Sequence, residues 1–249
     1  AVLVAGGPES ASADSLYRSP LAAALPATPS GRAIQQPFRP EITDVGHRHP
    51  VTEGLEKFSP PGEDGEPGWG RWFRLMELLP RSGEVVMSGA EDKPLLILDR
   101  VGKGRVALLA SDQAWLWGRG YEGGGPQLEL LRRLAHWTMK EPELEEEALI
   151  ATADGQSITI TRRSLKDDPR QVTITAADGA TTVVPLEETE PGRFTATYIA
   201  PSIGLYRLTD GELETVVALG PSAPKEFEQT IATGDRLAPL VAATRGGIF

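Results

Sequence analysis

The chain has 249 residues, no cysteine and a formal net charge of −10. Its 40% hydrophobic and 24% charged residues are typical of a globular protein, and its length allows one large domain or two ordinary ones. The acidic charge disfavours nucleic acid as a partner, because phosphate backbones are repelled. The lack of cysteine excludes disulfides, thiolate nucleophiles and thiolate metal ligands.

No stretch approaches the roughly 20 apolar residues that a membrane-spanning helix needs, and no signal peptide is visible. The sequence starts inside an apolar run, AVLVAGG, without an initiator methionine. We therefore expect an excised fragment of a larger protein, with any membrane segments outside it.

Residues 1–142 mix strand and helix signals. Residues 1–5 form an apolar run that ends at Gly6-Gly7-Pro8, as expected for a buried strand. Residues 14–25 predict a short helix interrupted at Pro20. Residues 26–61 are rich in proline, glycine and polar residues, and this composition predicts a long loop with at most one short element.

After this loop, the sequence predicts regular secondary structure over residues 71–79 and 84–88. Two apolar runs, 94–100 and 104–111, flank a glycine-containing link and predict a β-hairpin. Residues 126–140 predict the best helix of the chain, with one apolar face made of Leu128, Leu131, Leu134, Ala135 and Thr138. Together these elements indicate an α/β domain, a partly parallel sheet packed by helices.

Residues 143–220 contain seven short runs rich in valine, isoleucine and threonine, many of them separated by Asp-Gly or Pro-Gly turns. This spacing predicts an all-β sandwich of immunoglobulin-like type. The acidic run EPELEEE over 141–147 lies at the junction and is typical of a solvated linker. Residues 221–249 predict a linker and a short C-terminal helix over 235–244.

The segment SDQAWLWGRGYEGGGP, residues 111–126, is the most distinctive of the chain, because it joins a predicted strand to the predicted helix. Ligands often bind at this position in α/β folds, and a glycine run at a helix N-terminus favours anions. The candidate binding residues combine polar, aromatic, cationic and glycine positions: Asp112, Gln113, Trp115, Trp117, Arg119, Tyr121, Gly123, Gly124 and Gly125. The alternative is that the tryptophans pack in the core and the glycines only turn the chain.

The sequence gives little support for a metal-binding or a catalytic site. His47 and His49 suggest a metal site, but no cluster supplies further ligands, so we predict no metal. A hydrolase triad around Ser111 and Asp112 lacks the G-x-S-x-G turn that presents a nucleophile. We predict neither a catalytic residue nor a cofactor.

Four segments carry a resemblance to a known family: HRHPVTEGL (47–55), WGRWFR (69–74), the long stretch 93–149 and LAPLVAATRGG (237–247). They resemble the glutamine-amidotransferase-like region of large bacterial membrane proteins, which also carry a von Willebrand A-type domain and flanking transmembrane helices. The resemblance implies a class I amidotransferase-like α/β domain with a flavodoxin-like sheet, followed by an immunoglobulin-like domain. It also implies a place on the periplasmic side of the bacterial inner membrane, and leaves open whether part of the fold lies upstream of Ala1.

The cysteine nucleophile of that family is absent, and no His-x-Glu pattern follows Ser111-Asp112, so the resemblance implies a catalytically degenerate member. Our leading hypothesis is a non-catalytic interaction or scaffold region of a membrane-anchored envelope protein. Its partner would be an envelope protein or another domain of the same polypeptide. One alternative is an enzyme or a carbohydrate- or small-molecule-binding protein, with an open amidotransferase-like pocket at Asp112, Gln113, Trp115 and Arg119. The other is a passive spacer.

Overall fold

The computed structural model describes residues 1–11, 15–59, 62, 67–166, 170–220 and 241. Strands make up 43% of these residues, and helices of all kinds 22%. The chain divides into two compact units. The first unit comprises Ala1–Ala148, Arg162–Pro169 and Glu188–Phe194, and the second comprises Leu149–Thr161, Arg170–Glu187 and Thr195–Phe249.

The N-terminal part of the chain, up to residue 148, contains seven strands and three α-helices within the described residues. The strands are β1 (Val2–Ala5), β2 (Ala27–Ile34), β3 (Glu41–Ile42), β4 (Leu75–Pro80), β5 (Glu84–Ser88), β6 (Pro94–Val101) and β7 (Gly104–Leu109). The helices are α1 (Asp44–Arg48), α2 (Trp115–Gly118) and α3 (Gln127–Thr138). Only α3 is longer than two turns.

Five of these strands form one mixed sheet in the order β1-β7-β6-β5-β3. β1 and β7 are parallel, whereas the remaining neighbours are antiparallel. The hairpin predicted over 94–111 is confirmed as β6 and β7, in which Leu96 pairs with Leu109. β2 and β4 form a separate two-stranded antiparallel sheet.

The helix predicted over 126–140 is confirmed as α3, but its predicted apolar face is wrong except at Leu134. Leu130, Leu134 and Trp137 are the buried residues of α3, while Leu128 is 84% exposed. Both sets follow helical spacing, and the buried stripe is the one that brings the large Trp137 ring into the core.

All seven strand runs predicted after residue 147 are present. They are β8 (Ala148–Asp154), β9 (Ser157–Arg163), β10 (Arg170–Thr175), β11 (Thr181–Glu190), β12 (Arg193–Ile199), β13 (Gly204–Thr209) and β14 (Glu214–Leu219). The four turn glycines have left-handed backbones, with φ of 59° at Gly155, 86° at Gly179, 71° at Gly192 and 95° at Gly211. Glycine is favoured there because it has no Cβ to clash.

The predicted fold class is wrong in both halves. A flavodoxin-like, amidotransferase-like α/β domain needs parallel strands joined by crossover helices. Here β5, β6 and β7 follow one another as antiparallel neighbours through short turns, so no helix crosses between them. An immunoglobulin-like sandwich needs two facing sheets, whereas β8–β14 form one nearly closed sheet in the order β14-β13-β10-β11-β12-β9-β8.

The loop predicted over 26–61 is also wrong, because it contains β2, β3 and α1. β2 is hard to recognise in the sequence because Pro29 and Gly31 are rare inside strands. Its register with β4 shifts between Pro29 and Ala33. The helix predicted over 235–244 lies outside the described residues except for Val241. No helix in the described part of the chain combines the length and the apolar character that a bilayer-spanning segment requires.

Candidate functional site

The loop formed by residues 111–126 leads from β7 to α3 and contains α2. It begins at Ser111, which is fully buried. The Ser111 hydroxyl donates to the Arg74 carbonyl at 2.7 Å and accepts from the Gln113 amide at 3.2 Å. Ser111 therefore fixes the start of the loop and is closed to a substrate.

The two polar residues predicted to bind a ligand are committed to internal partners. Both carboxylate oxygens of Asp112 lie 2.7 Å from Nη2 of Arg74. The Gln113 side-chain oxygen accepts from the backbone amides of Phe73 at 2.6 Å and Arg74 at 3.1 Å. These contacts tie the loop to the segment that precedes β4.

Trp117 anchors the loop in the core. Its side chain is 2% exposed, and its indole N–H donates to the Gly70 carbonyl at 2.8 Å. The ring centroid of Trp117 lies 5.1 Å from that of Trp69 and 4.9 Å from that of Trp72. Trp117 therefore has the packing role that the sequence left open as an alternative to binding.

The three glycines bring the chain close to this tryptophan cluster. Gly123 and Gly124 have positive φ angles of 96° and 80°. A Cβ added to Gly125 would lie 2.4 Å from Cδ2 of Trp117, closer than any real Cβ contact. At these positions glycine serves backbone conformation and close packing.

Three of the predicted residues remain at the surface. Trp115 is 54% exposed, Tyr121 is 41% exposed and Arg119 is exposed. The Tyr121 ring packs edge-to-face against Phe73, with 5.7 Å between centroids. We call Trp115, Arg119 and Tyr121 the aromatic face of the loop.

Next to Tyr121, an ion pair holds the loop in place. Arg71 binds Glu122 through two of its nitrogens, and Nε lies 2.8 Å from Oε2. The hydrogen bond from Arg71 lowers the pKa of Glu122 to about 2. Glu122 is therefore ionised at neutral pH and stays paired with Arg71. Its backbone is left-handed, with φ of 48°.

A buried histidine–glutamate pair, which the sequence analysis missed, lies elsewhere in the first unit. His49 is 1% exposed and Glu146 is 6% exposed. His49 Nδ1 accepts from the Val51 amide at 3.1 Å, and Nε2 lies 3.4 Å from Glu146 Oε1. The Trp137 indole N–H donates to the same oxygen at 2.8 Å, and Arg100 binds the other oxygen. The prediction of a solvated linker over 141–147 is wrong at Glu146.

The charge states of this pair follow from burial and hydrogen bonding. Burial lowers the pKa of His49, and the hydrogen bond to Glu146 only partly opposes this. Burial by itself raises the pKa of Glu146, but hydrogen bonds from His49 and Arg100 outweigh it, and the net pKa is lowered. A neutral histidine thus donates to an ionised glutamate. Because both side chains are closed to solvent, the pair stabilises the unit and cannot reach a substrate.

The three histidines do not converge on a metal. His47 lies 3.4 Å from Glu56, and His136 Nδ1 lies 2.6 Å from Glu141, so each histidine faces a different carboxylate. Within the described ranges, no group of three histidine or carboxylate side chains is placed to hold a metal ion.

A cleft of about 380 Å³ opens on a different part of the first unit. Arg133, Arg163 and Arg193 contribute to its lining, and none of its lining residues belongs to the loop 111–126. No local sequence pattern indicates this cleft, because its residues come from segments far apart in the chain.

No protein-family model and no curated protein matches the sequence. Among solved structures, the chain is similar to a β-galactosidase from Rahnella sp. R3, with 14% identity and a TM-score of 0.33. The similarity covers 73% of this chain and 25% of the β-galactosidase, so the chain spans about a quarter of that enzyme's length. A likeness at this TM-score carries no argument about fold or activity.

Proposed function

We propose that this chain is a non-catalytic interaction region of a larger, membrane-anchored bacterial envelope protein. One observation carries the proposal. Asp112 and Gln113 of the loop 111–126 are bound to internal partners, while the large side chains of its aromatic face remain exposed.

The internal contacts argue against a pocket enzyme at this loop. A catalytic site needs polar groups that are free to meet a substrate. Asp112 already binds Arg74 with both oxygens, and the Gln113 oxygen already accepts two backbone amides. A substrate would have to displace these partners before either group could act.

The aromatic face has the composition of a protein-binding surface. Tryptophan, tyrosine and arginine are the residues most enriched at the energetic centres of protein interfaces. Trp115 is 54% exposed and Tyr121 is 41% exposed, so their rings offer apolar surface that a partner can bury. Arg119 adds donors for a carboxylate or carbonyl of the partner.

The loop is also held rigid, which favours binding. Trp117 fixes its middle against Trp69 and Trp72, and the Arg71–Glu122 pair fixes its far end. A surface that is already ordered loses little conformational entropy when a partner docks. The proposed partner is an envelope protein or another domain of the same polypeptide, on the periplasmic side of the inner membrane.

The test compares capture of partners from a bacterial envelope extract by the parent chain and by a variant with Trp115→Ala, Arg119→Ala and Tyr121→Ala. Trp117 is left intact because it belongs to the core. A Leu128→Ala variant is the matched control, since Leu128 is 84% exposed and lies on α3, outside the loop. Circular dichroism and thermal melting establish that all variants are folded.

The captured protein is then purified and its dissociation constant measured with each variant. A single interface hot spot contributes about 2 kcal/mol or more, which corresponds to about 30-fold in affinity. We expect the triple variant to bind at least 30-fold more weakly, with the Leu128→Ala control unchanged. Equal binding by parent and triple variant would refute the aromatic face as an interface and favour a passive spacer.

A further inference from the structure

The cleft of about 380 Å³ in the first unit, which we call the arginine cleft, concentrates positive charge in an acidic chain. Four cations contribute to its lining: Lys57, Arg133, Arg163 and Arg193. All of the lining residues belong to the same compact unit. Three glutamates, Glu53, Glu143 and Glu190, line it as well, so the lining carries one net positive charge.

Two of the three arginines are compensated by carboxylates. Arg133 Nε lies 2.7 Å from Glu129, and Nη1 of Arg133 donates to the Glu53 carbonyl at 2.6 Å. Arg193 Nη2 lies 3.0 Å from the Glu53 carboxylate, and Nη1 lies 3.4 Å from Glu190. The charges of Arg133 and Arg193 are therefore compensated within the protein.

Arg163 differs from both. Its Nη1 donates to the Glu143 backbone carbonyl at 2.6 Å, but no carboxylate in the described part of the chain lies within ion-pair distance of its guanidinium. Its Nε is buried without a hydrogen-bond partner, and so is Nε of Arg193. Within the described residues Arg163 donates through Nη1, and no hydrogen bond from its Nη2 is present there.

Burying the charged Arg163 guanidinium without a carboxylate in ion-pair contact is electrostatically unfavourable. Burial lowers the pKa of Arg163, Arg193 lowers it further, and Glu53 only partly opposes them. Arginine stays protonated at neutral pH despite such shifts. An anion in the arginine cleft would relieve this cost, because a buried charge is tolerated when it is paired and hydrogen-bonded.

The size and lining of the cleft narrow the chemistry of that anion. Phe58 and Leu144 line it with apolar surface, and Phe58 is 54% exposed. Glu53 and Glu190 also line it and would repel a dianion such as phosphate. A single uncompensated guanidinium matches a single negative charge.

We propose that the arginine cleft binds the carboxylate of a small ligand or peptide end with an apolar body, and that Arg163 is the recognising residue. The carboxylate accepts from Nη2 of Arg163, while the apolar body packs on Phe58 and Leu144. Such charge-assisted hydrogen bonds are stronger than those between neutral groups.

The test is an NMR titration of the whole chain that follows the arginine side-chain Nε–H signals at constant ionic strength. The probe is N-acetyl-L-leucine, which carries one carboxylate on an apolar body. N-acetyl-L-leucinamide, which lacks the charge, and inorganic phosphate are titrated in parallel. An Arg163→Lys variant identifies the Arg163 signal by its loss, and Arg132→Lys on the exposed surface of α3 is the matched control.

We expect a saturable shift of the Arg163 signal with N-acetyl-L-leucine, and at least tenfold weaker binding of the amide and of phosphate. The Arg193 signal, from the same cleft, should shift in the same titration. In the Arg163→Lys variant this Arg193 shift should be lost, whereas in Arg132→Lys the Arg163 and Arg193 shifts should both persist. If Arg163→Lys does not fold, the Arg163 signal is assigned in the parent chain by connecting it to its backbone resonances, and the parent titration still tests the proposal. Absence of a saturable shift, or equal binding of phosphate or of the amide, would overturn the proposal.

Discussion

Replacing Glu146 with glutamine would measure how much the buried histidine–glutamate pair stabilises the first unit. The Glu146 carboxylate accepts from the Trp137 indole N–H at 2.8 Å, lies 3.4 Å from His49 Nε2 and binds Arg100. A glutamine side chain fits the same space, and with its oxygen in the place of Oε1 it still accepts from Trp137 and His49, but as a neutral acceptor. Its NH2 group then faces Arg100, which loses its acceptor.

The expected loss of stability follows from the environment of each contact. A hydrogen bond to a charged group contributes about 1.5–3 kcal/mol and one between neutral groups about 0.5–1.5 kcal/mol, so the buried donors of His49 and Trp137 would each lose about 1–1.5 kcal/mol. The Arg100 side chain is 52% exposed, so solvent screens its pairing with Glu146 and we allow it about 1 kcal/mol at most. Together these terms predict that Glu146→Gln lowers the free energy of unfolding by about 2–4 kcal/mol.

Urea unfolding followed by tryptophan fluorescence suits this measurement, because all five tryptophans lie in the first unit. With a urea slope of about 2 kcal/mol per molar, the midpoint should fall by about 1–2 M. Glu143→Gln is the matched control, since it removes one negative charge from an exposed side chain in the same acidic run. The control should change stability by about 0.5 kcal/mol or less. Equal midpoints for Glu146→Gln and the parent would refute the stabilising role of the pair.

Two further predictions concern pH and packing. The lowered pKa of His49 contributes stability that is present above its unfolded value of about 6.5, and that of Glu146 contributes stability present above about 4.3. We expect the urea midpoint of the parent to fall as pH drops from 7 to 3, and the deficit of Glu146→Gln to shrink below pH 4; a flat parent profile would contradict this. Gly125→Ala places a Cβ 2.4 Å from Trp117 and should cost about 1–3 kcal/mol, whereas Gly104→Ala meets its nearest atom at 3.4 Å. Equal melting temperatures for these two variants would show that the Trp117 ring moves aside without a loss of stability.

The sequence predicted the local elements well, because their signals are local. The Asp-Gly and Pro-Gly turns located the strands of the seven-stranded sheet, and their glycines have the left-handed backbones that such turns need. The β6–β7 hairpin and α3 were likewise visible in apolar runs and in a proline at the helix start. These features depend on residues within a few positions of one another.

The arrangement of the elements was not predictable in the same way. Whether seven strands form two facing sheets or one nearly closed sheet depends on pairings such as Thr173 with Thr209, which are distant in sequence. The burial of α3 was misassigned because two stripes share helical spacing, and only the rest of the core selects Trp137 over Leu128. β2 was missed because Pro29 and Gly31 are rare inside strands.

The candidate site shows the same division. The aromatic and glycine content of the loop 111–126 was visible in the sequence, but the Asp112 and Gln113 partners lie 38 to 40 residues away at Phe73 and Arg74. Glu146 sits in a run of acidic residues, and such runs usually face water. Its burial depends on His49, which lies almost 100 residues earlier and carries no local signal for a glutamate partner.

The parallel pairing of β1 with β7 has a consequence for the order of folding. Val2 pairs with Val106, so the edge strand of the five-stranded sheet joins a partner 104 positions further along the chain. The β6–β7 hairpin closes within a few residues, while β1 has no strand to join until β7 has been synthesised. At about 5–20 residues per second, this delay lasts about 5–20 s on the ribosome. During that interval residues 2–5 remain an unpaired apolar segment, open to a chaperone or to non-native strand pairing.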